Sequence, residues 1–118
     1  MNEKQINEMQ PGEELNVLVA KEIMGVKVVH DPIFGLVEIH LTDKGSPVYN
    51  TLQRYSEDIH AARQALSRMI QLGFETETAY WEIDDRPEII CKAALRAILK
   101  KRKEKETFKK RRKFRVIK

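Results

Sequence analysis

The sequence predicts a small α+β domain: a layered helix–sheet–helix sandwich around a three- to four-stranded, mostly antiparallel sheet. Three observations carry that prediction. Segments with a 3.6-residue apolar period alternate with segments of period 2, in the order helix, two or three strands, helix, strand, helix. Short loops marked by Gly, Pro and Asp join them. The chain has 118 residues, the length of one compact unit with one core.

Residues 1–10, MNEKQINEMQ, are polar and without a clear period, and read as a mobile leader or a short helical lead-in. Pro11-Gly12 punctuates the chain, and Glu13-Glu14 suit the positive end of a helix dipole. Leu15, Leu18, Val19 and Ile23 then form one apolar stripe, and Gly25 stands where a left-handed stop belongs. The spacing predicts a helix over 13–24. Val26, Val28 and Val29 lead to a turn at His30-Asp31-Pro32. In the strand over 33–41, Val37, Ile39 and Leu41 point one way, and Leu36, Glu38 and His40 the other. After the turn cluster 43–47, Val48 to Leu52 read as a third, shorter strand.

Ser56 reads as the N-cap of a second helix, with Glu57 and Asp58 in its first turn. Its predicted buried stripe is Ile59, Ala62, Leu66, Met69 and Ile70, stopped by Gly73. FETETAYWEI, residues 74–83, has the sharpest alternation in the chain and reads as a strand with Tyr80 and Trp81 on opposite faces. Asp85, three residues before Glu88, has capping-box spacing, and Pro87 suits a first turn. The stripe of this last helix is Ile90, Ala93, Ala94, Ala97 and Ile98. The pattern runs on into KKRKEKE without an apolar face, so the helix is expected to project into water past Leu99 before it frays.

Composition excludes several classes. With 42% hydrophobic and 34% charged residues, the chain is not a disordered polymer. No run reaches the ~20 apolar residues of a bilayer span, and no signal peptide opens it. A single cysteine, Cys91, excludes an internal disulfide framework and suits a reducing cytosol. The net charge of +4 is unevenly spread: residues 1–98 carry 10 Lys+Arg against 16 Asp+Glu, and residues 99–118 carry 12 against 2. An acidic body of −6 therefore bears a +10 tail.

Three stretches, PGEELNVLVAKEIMG at 11–25, YSEDIHAARQAL at 55–66 and PEIICKAALRAIL at 87–99, together resemble the phage ABA sandwich domain family. The resemblance implies a helix–sheet–helix fold and a phage or prophage origin, in a family whose function is uncharacterised. It supplies no catalytic set. The chain departs from the family at Val26, where an aromatic often follows Met-Gly, and the segment 100–118 lies outside the resemblance. The expected division is a polar leader 1–10, a sandwich domain 11–99 and a basic tail 100–118.

No Gly-x-Ser-x-Gly, P-loop or dinucleotide fingerprint occurs, so no cofactor is expected. Glu38 and His40 share one strand face at a spacing that would suit two metal ligands, but a polar outer face accounts for the pair. Cys91 sits among Ile89, Ile90 and Ala93, which favours a buried small apolar role over a reactive thiol. Helix capping accounts for Ser56, Glu57 and Asp58, and a turn accounts for Asp84-Asp85. Catalysis would require a convergent acid–His cluster that the spacing does not offer.

The strongest functional signal is in the tail. Lys109, Lys110, Arg111, Arg112, Lys113 and Arg115 form a basic block with Phe108 and Phe114 interleaved. Such a block attracts phosphate polyanions by counterion release, and the aromatics suit stacking or anchoring. Two readings follow. In the first, this is a phage- or prophage-derived accessory protein of the host cytoplasm that binds a host or phage protein or a small ligand. It would modulate a host process or defence, with self-association through a sheet edge or helix face. The second is a nucleic-acid-binding protein that uses the basic tail.

Overall fold

The computed structural model describes residues 2–74 and 86–117, with side chains through Glu104. Helix α1 spans Glu3–Glu8 and α2 Glu13–Glu22. Strands β1 (Lys27–Asp31), β2 (Gly35–Leu41) and β3 (Pro47–Thr51) follow, then α3 (Ile59–Gln71) and α4 (Pro87–Ile117). The described residues thus form the small α+β fold that the alternating periods predict, with four helices and a three-stranded antiparallel sheet.

Of the two readings of residues 1–10, the structure has the helical lead-in. Six residues are too few to hold a helix by propensity. A capping box closes the first turn: Asn2 Oδ1 accepts the Gln5 N–H at 2.8 Å, and the Asn2 N–H donates to Gln5 Oε1 at 3.1 Å. Ile6 is fully buried in the same core as the later helices, which fixes α1 to the body.

In α2 the predicted stripe is buried at Leu15, Val19 and Ile23, and Leu18 packs partly against it. Gly25 adopts φ +68°, a left-handed conformation that costs glycine little, and the Val26 N–H returns to the Ala20 carbonyl at 3.1 Å. This reversal launches β1 away from the helix end. At the next turn the Asp31 carboxylate accepts the N–H groups of Ile33 (2.8 Å) and Phe34 (2.9 Å). Those two backbone donors hold its carboxyl below the usual carboxylate range.

The sheet is a meander, β1-β2-β3. Its register places Val28 opposite Glu38 and Glu38 opposite Asn50, so these three residues share a face. Val28 on this face packs against the helical core, as does Leu52 just beyond β3. The other face carries Val37, Ile39 and Leu41, with Tyr49 opposite Ile39. Leu41 and Tyr49 are 73% and 63% exposed there.

The second predicted helix begins later than its pattern indicates. Ser56 is not the N-cap: Asp58 is, its carboxylate accepting the His60 N–H at 2.8 Å. Ser56 is buried and tied instead to the start of α2. Its N–H and hydroxyl both donate to Asn16 Oδ1, at 2.8 and 2.6 Å, and its oxygen accepts the Gly12 N–H at 2.9 Å. The buried stripe of α3 is Ala61, Ala62, Ala65, Leu66 and Met69, while Ile70, expected within it, lies at the exposed edge. Gly73, at φ +97°, closes the helix in a Schellman motif: its N–H reaches the Ile70 carbonyl, and the Phe74 N–H reaches that of Met69, both at 3.0 Å. Phe74 then folds into the core.

The strand expected over 74–83, with Tyr80 and Trp81, and the cap expected at Asp85 lie outside the described residues, apart from Phe74. The last helix is described from Pro87, and the N–H groups of Ile89 and Ile90 donate to the Arg86 carbonyl. Ile90, Cys91, Ala94 and Leu95 are its buried positions, with Ala97 and Ile98 partly buried. Cys91 has the predicted apolar role. Its thiol is fully enclosed, lies 3.1 Å from the Tyr55 carbonyl oxygen, and burial pushes it up to about 12.

Candidate functional site

The apolar stripe of α4 ends at Leu99, and the helix runs on past it as its pattern indicates, its backbone continuing to Ile117. At 1.5 Å per residue, the 31 residues make a rod of about 46 Å. All eight tail residues singled out by composition, Phe108 to Arg115, lie on this one helix.

Polar contacts extend the rooting of α4 past the apolar stripe. Lys92 pairs with Glu88 at 3.5 Å, and its Nζ donates to the Asn7 carbonyl at 3.3 Å. Arg96 donates to Asn7 Oδ1 at 2.8 Å. These contacts hold α4 to the end of α1. One turn on, Lys101 Nζ lies 3.5 Å from the Leu72 carbonyl oxygen at the end of α3 and 5.0 Å from the centroid of the Phe74 ring. Arg102 pairs with Glu22 in the last turn of α2. A carboxylate at a helix C-terminus faces the negative end of the dipole, and Arg102 offsets that charge. The compositional boundary at 99/100 is therefore not the contact boundary, because the first basic residues of the tail brace the ends of α2 and α3.

The second polar constellation lies in the sheet. The expectation of a polar outer face for Glu38 and His40 is overturned: Glu38 is fully buried on the face that meets the helices. Glu38 Oε2 accepts the Gln53 N–H at 2.7 Å, and Oε1 accepts the Tyr55 hydroxyl at 2.8 Å. His40 Nε2 lies 3.3 Å from the same Oε1. Burial and the neighbouring carboxylate both raise the Tyr55 phenol, burial more strongly. Both Glu38 oxygens are thus committed to ordering the sheet against Tyr55.

The remaining histidines stand apart in the fold, His30 in β1 and His60 in the first turn of α3, both exposed. Among the described residues no group of three or more His, Cys, Asp or Glu is placed to hold a metal ion. No helix among them is long and apolar enough to cross a membrane. Sequence reasoning missed Asn16 and Tyr55 as polar anchors. The available signal was a polar residue inside an apolar stripe, Asn16 directly after Leu15.

No family model, no curated protein and no solved structure matches this chain.

Proposed function

We propose that the protein acts by binding, its α+β body serving as the mount for a basic helix that contacts nucleic-acid phosphates. The observation that carries this reading is the continuity of α4 from the buried Ile90 to Ile117 through the basic block. A charged segment on a preformed helix loses less conformational entropy on binding than a disordered one. The six cations Lys109, Lys110, Arg111, Arg112, Lys113 and Arg115 supply charge without a base-reading code, so the substrate class is DNA or RNA with little sequence discrimination.

The test is fluorescence anisotropy with labelled duplex DNA and single-stranded RNA. Full-length protein is compared with a variant carrying alanine at those six positions. Binding by the first and its loss in the second, with the circular dichroism spectrum of the body retained, supports the reading. Equal affinity of the two proteins refutes it.

A second reading is favoured by the outer sheet face, where Leu41 and Tyr49 are open to solvent, and by Ile33 and Phe34, exposed in the turn at the other end of β2. With the resemblance to the phage ABA sandwich domain, this face supports an accessory protein that engages a host or phage protein, or a small ligand, in the bacterial cytoplasm. Substituting Leu41 and Tyr49 with serine abolishes partner capture under this reading and leaves nucleic-acid affinity untouched.

A further inference from the structure

Where α4 crosses the C-terminal ends of α2 and α3, the three helices border an open pocket of about 270 Å³. Ile23, Leu72 and Ile98 form apolar wall, and Arg68, Lys101, Arg102 and Glu22 bring charge to it. Among the described residues three cations thus face one carboxylate. Arg102 is matched by Glu22. The other two have no carboxylate in ion-pair range among the described residues. Among the described residues Lys101 meets a carbonyl oxygen and the face of Phe74. Among the described residues Arg68 makes one long hydrogen bond, from Nη1 to Gln71 Oε1 at 3.4 Å, and its Nε is buried with no acceptor.

The bland explanation is that cations gather at helix C-termini to offset the dipole. That accounts for Lys101, which reaches the terminal carbonyl of α3. It also covers the charge of Arg68, in the last turn of α3, but among the described residues it leaves that guanidinium without the two-oxygen partner that satisfies it best. Gly25 adjoins the guanidinium: a Cβ added there would meet Arg68 Nη2 in ordinary contact at 4.0 Å.

We propose that this pocket is an oxyanion site that takes a phosphate group, with Arg68 and Lys101 as its ligands. The excess of two positive charges among the described residues matches the charge of a phosphate monoester near neutral pH. The apolar wall leaves room for the organic part of the ester. The site goes beyond the nucleic-acid reading and uses none of residues 108–115, so either proposal can fail alone. The phosphate has two sources to be distinguished, a free phosphate or monoester and the backbone of a nucleic acid held by the adjoining basic helix.

The experiment titrates inorganic phosphate into full-length protein at constant ionic strength, followed by isothermal calorimetry and amide chemical shifts. The expected result is saturable binding, weakened at least tenfold in Arg68→Gln and again in Lys101→Gln, and retained in the six-alanine tail variant. A second arm measures Arg68→Gln against an oligonucleotide without terminal phosphates. A matching loss there assigns the site to the nucleic-acid backbone, and no loss assigns it to free phosphate or a monoester. If Arg68→Gln does not fold, Lys101→Gln alone decides. Absence of saturable phosphate binding, or binding unchanged in the folded variants, overturns the proposal.

Discussion

The Tyr55 hydroxyl donates to Glu38 Oε1 at 2.8 Å, and both side chains are at most 1% exposed. The pair joins the central strand to the turn that precedes α3. A buried carboxylate is tolerated only when its oxygens are satisfied, and the Gln53 N–H and His40 complete the set. Tyr55→Phe removes one donor while keeping the ring. It is expected to destabilise the protein by about 1–3 kcal/mol, measured by urea denaturation. Tyr55→Phe combined with Glu38→Gln should cost less than the two single changes added together, because they act on one contact.

Ser56 and Asn16 make the corresponding link between the turn and α2. Ser56→Ala leaves Asn16 Oδ1 with one donor and the Gly12 N–H with none from Ser56. The expected loss is about 1–3 kcal/mol. The competing capping role belongs to Asp58, so Asp58→Ala should cost about 1 kcal/mol by a separate route, and the two losses should add.

Stability should fall at alkaline pH, and the sign follows from Cys91. Burial raises its thiol from 9.0 to about 12. Above pH 9 the unfolded chain releases a proton that the native state retains, so stability is fully present below that value and declines as pH rises towards 12. The slope from this one group reaches about 1.4 kcal/mol per pH unit. In Cys91→Ala the decline should begin nearer pH 10, where the similarly raised Tyr55 takes over. Denaturant midpoints across pH 7 to 11 measure both onsets.

Ile6 tests whether the first ten residues belong to the body. It is fully buried, so Ile6→Ala should cost about 2–5 kcal/mol in a denaturation experiment. A solvated leader would lose almost nothing.

The elements written in apolar periodicity were legible from the sequence: α2, β1 to β3, α3 and the first half of α4 fall within a few residues of their predicted spans. Gly25 and Gly73 were legible because a left-handed stop has few alternatives. What periodicity could not reveal depends on distant partners. Ser56 carries good capping chemistry, but Asn16, forty residues earlier, claims it. Glu38 sits at a position that reads as solvent-facing until Tyr55, Gln53 and His40 come together around it. Arg68 adjoins Met69 of the buried stripe, and apolar periodicity says nothing of it. Only the crossing of α4 over Leu72 makes it part of the wall of a pocket. The basic block was legible from composition and the run of the helix past Leu99 from its pattern, whereas the contacts of Lys101 and Arg102 that root it were not.

The central claim, that the basic end of α4 binds nucleic-acid phosphates, is tested most directly by salt dependence. The association constant of the full chain for duplex DNA is measured between roughly 50 and 200 mM salt and plotted on logarithmic axes. A steep negative slope that becomes shallower by about five in the six-alanine variant is the result expected, near 0.9 for each cation removed. An affinity that is flat across that range, or a slope the six substitutions leave unchanged, contradicts the claim.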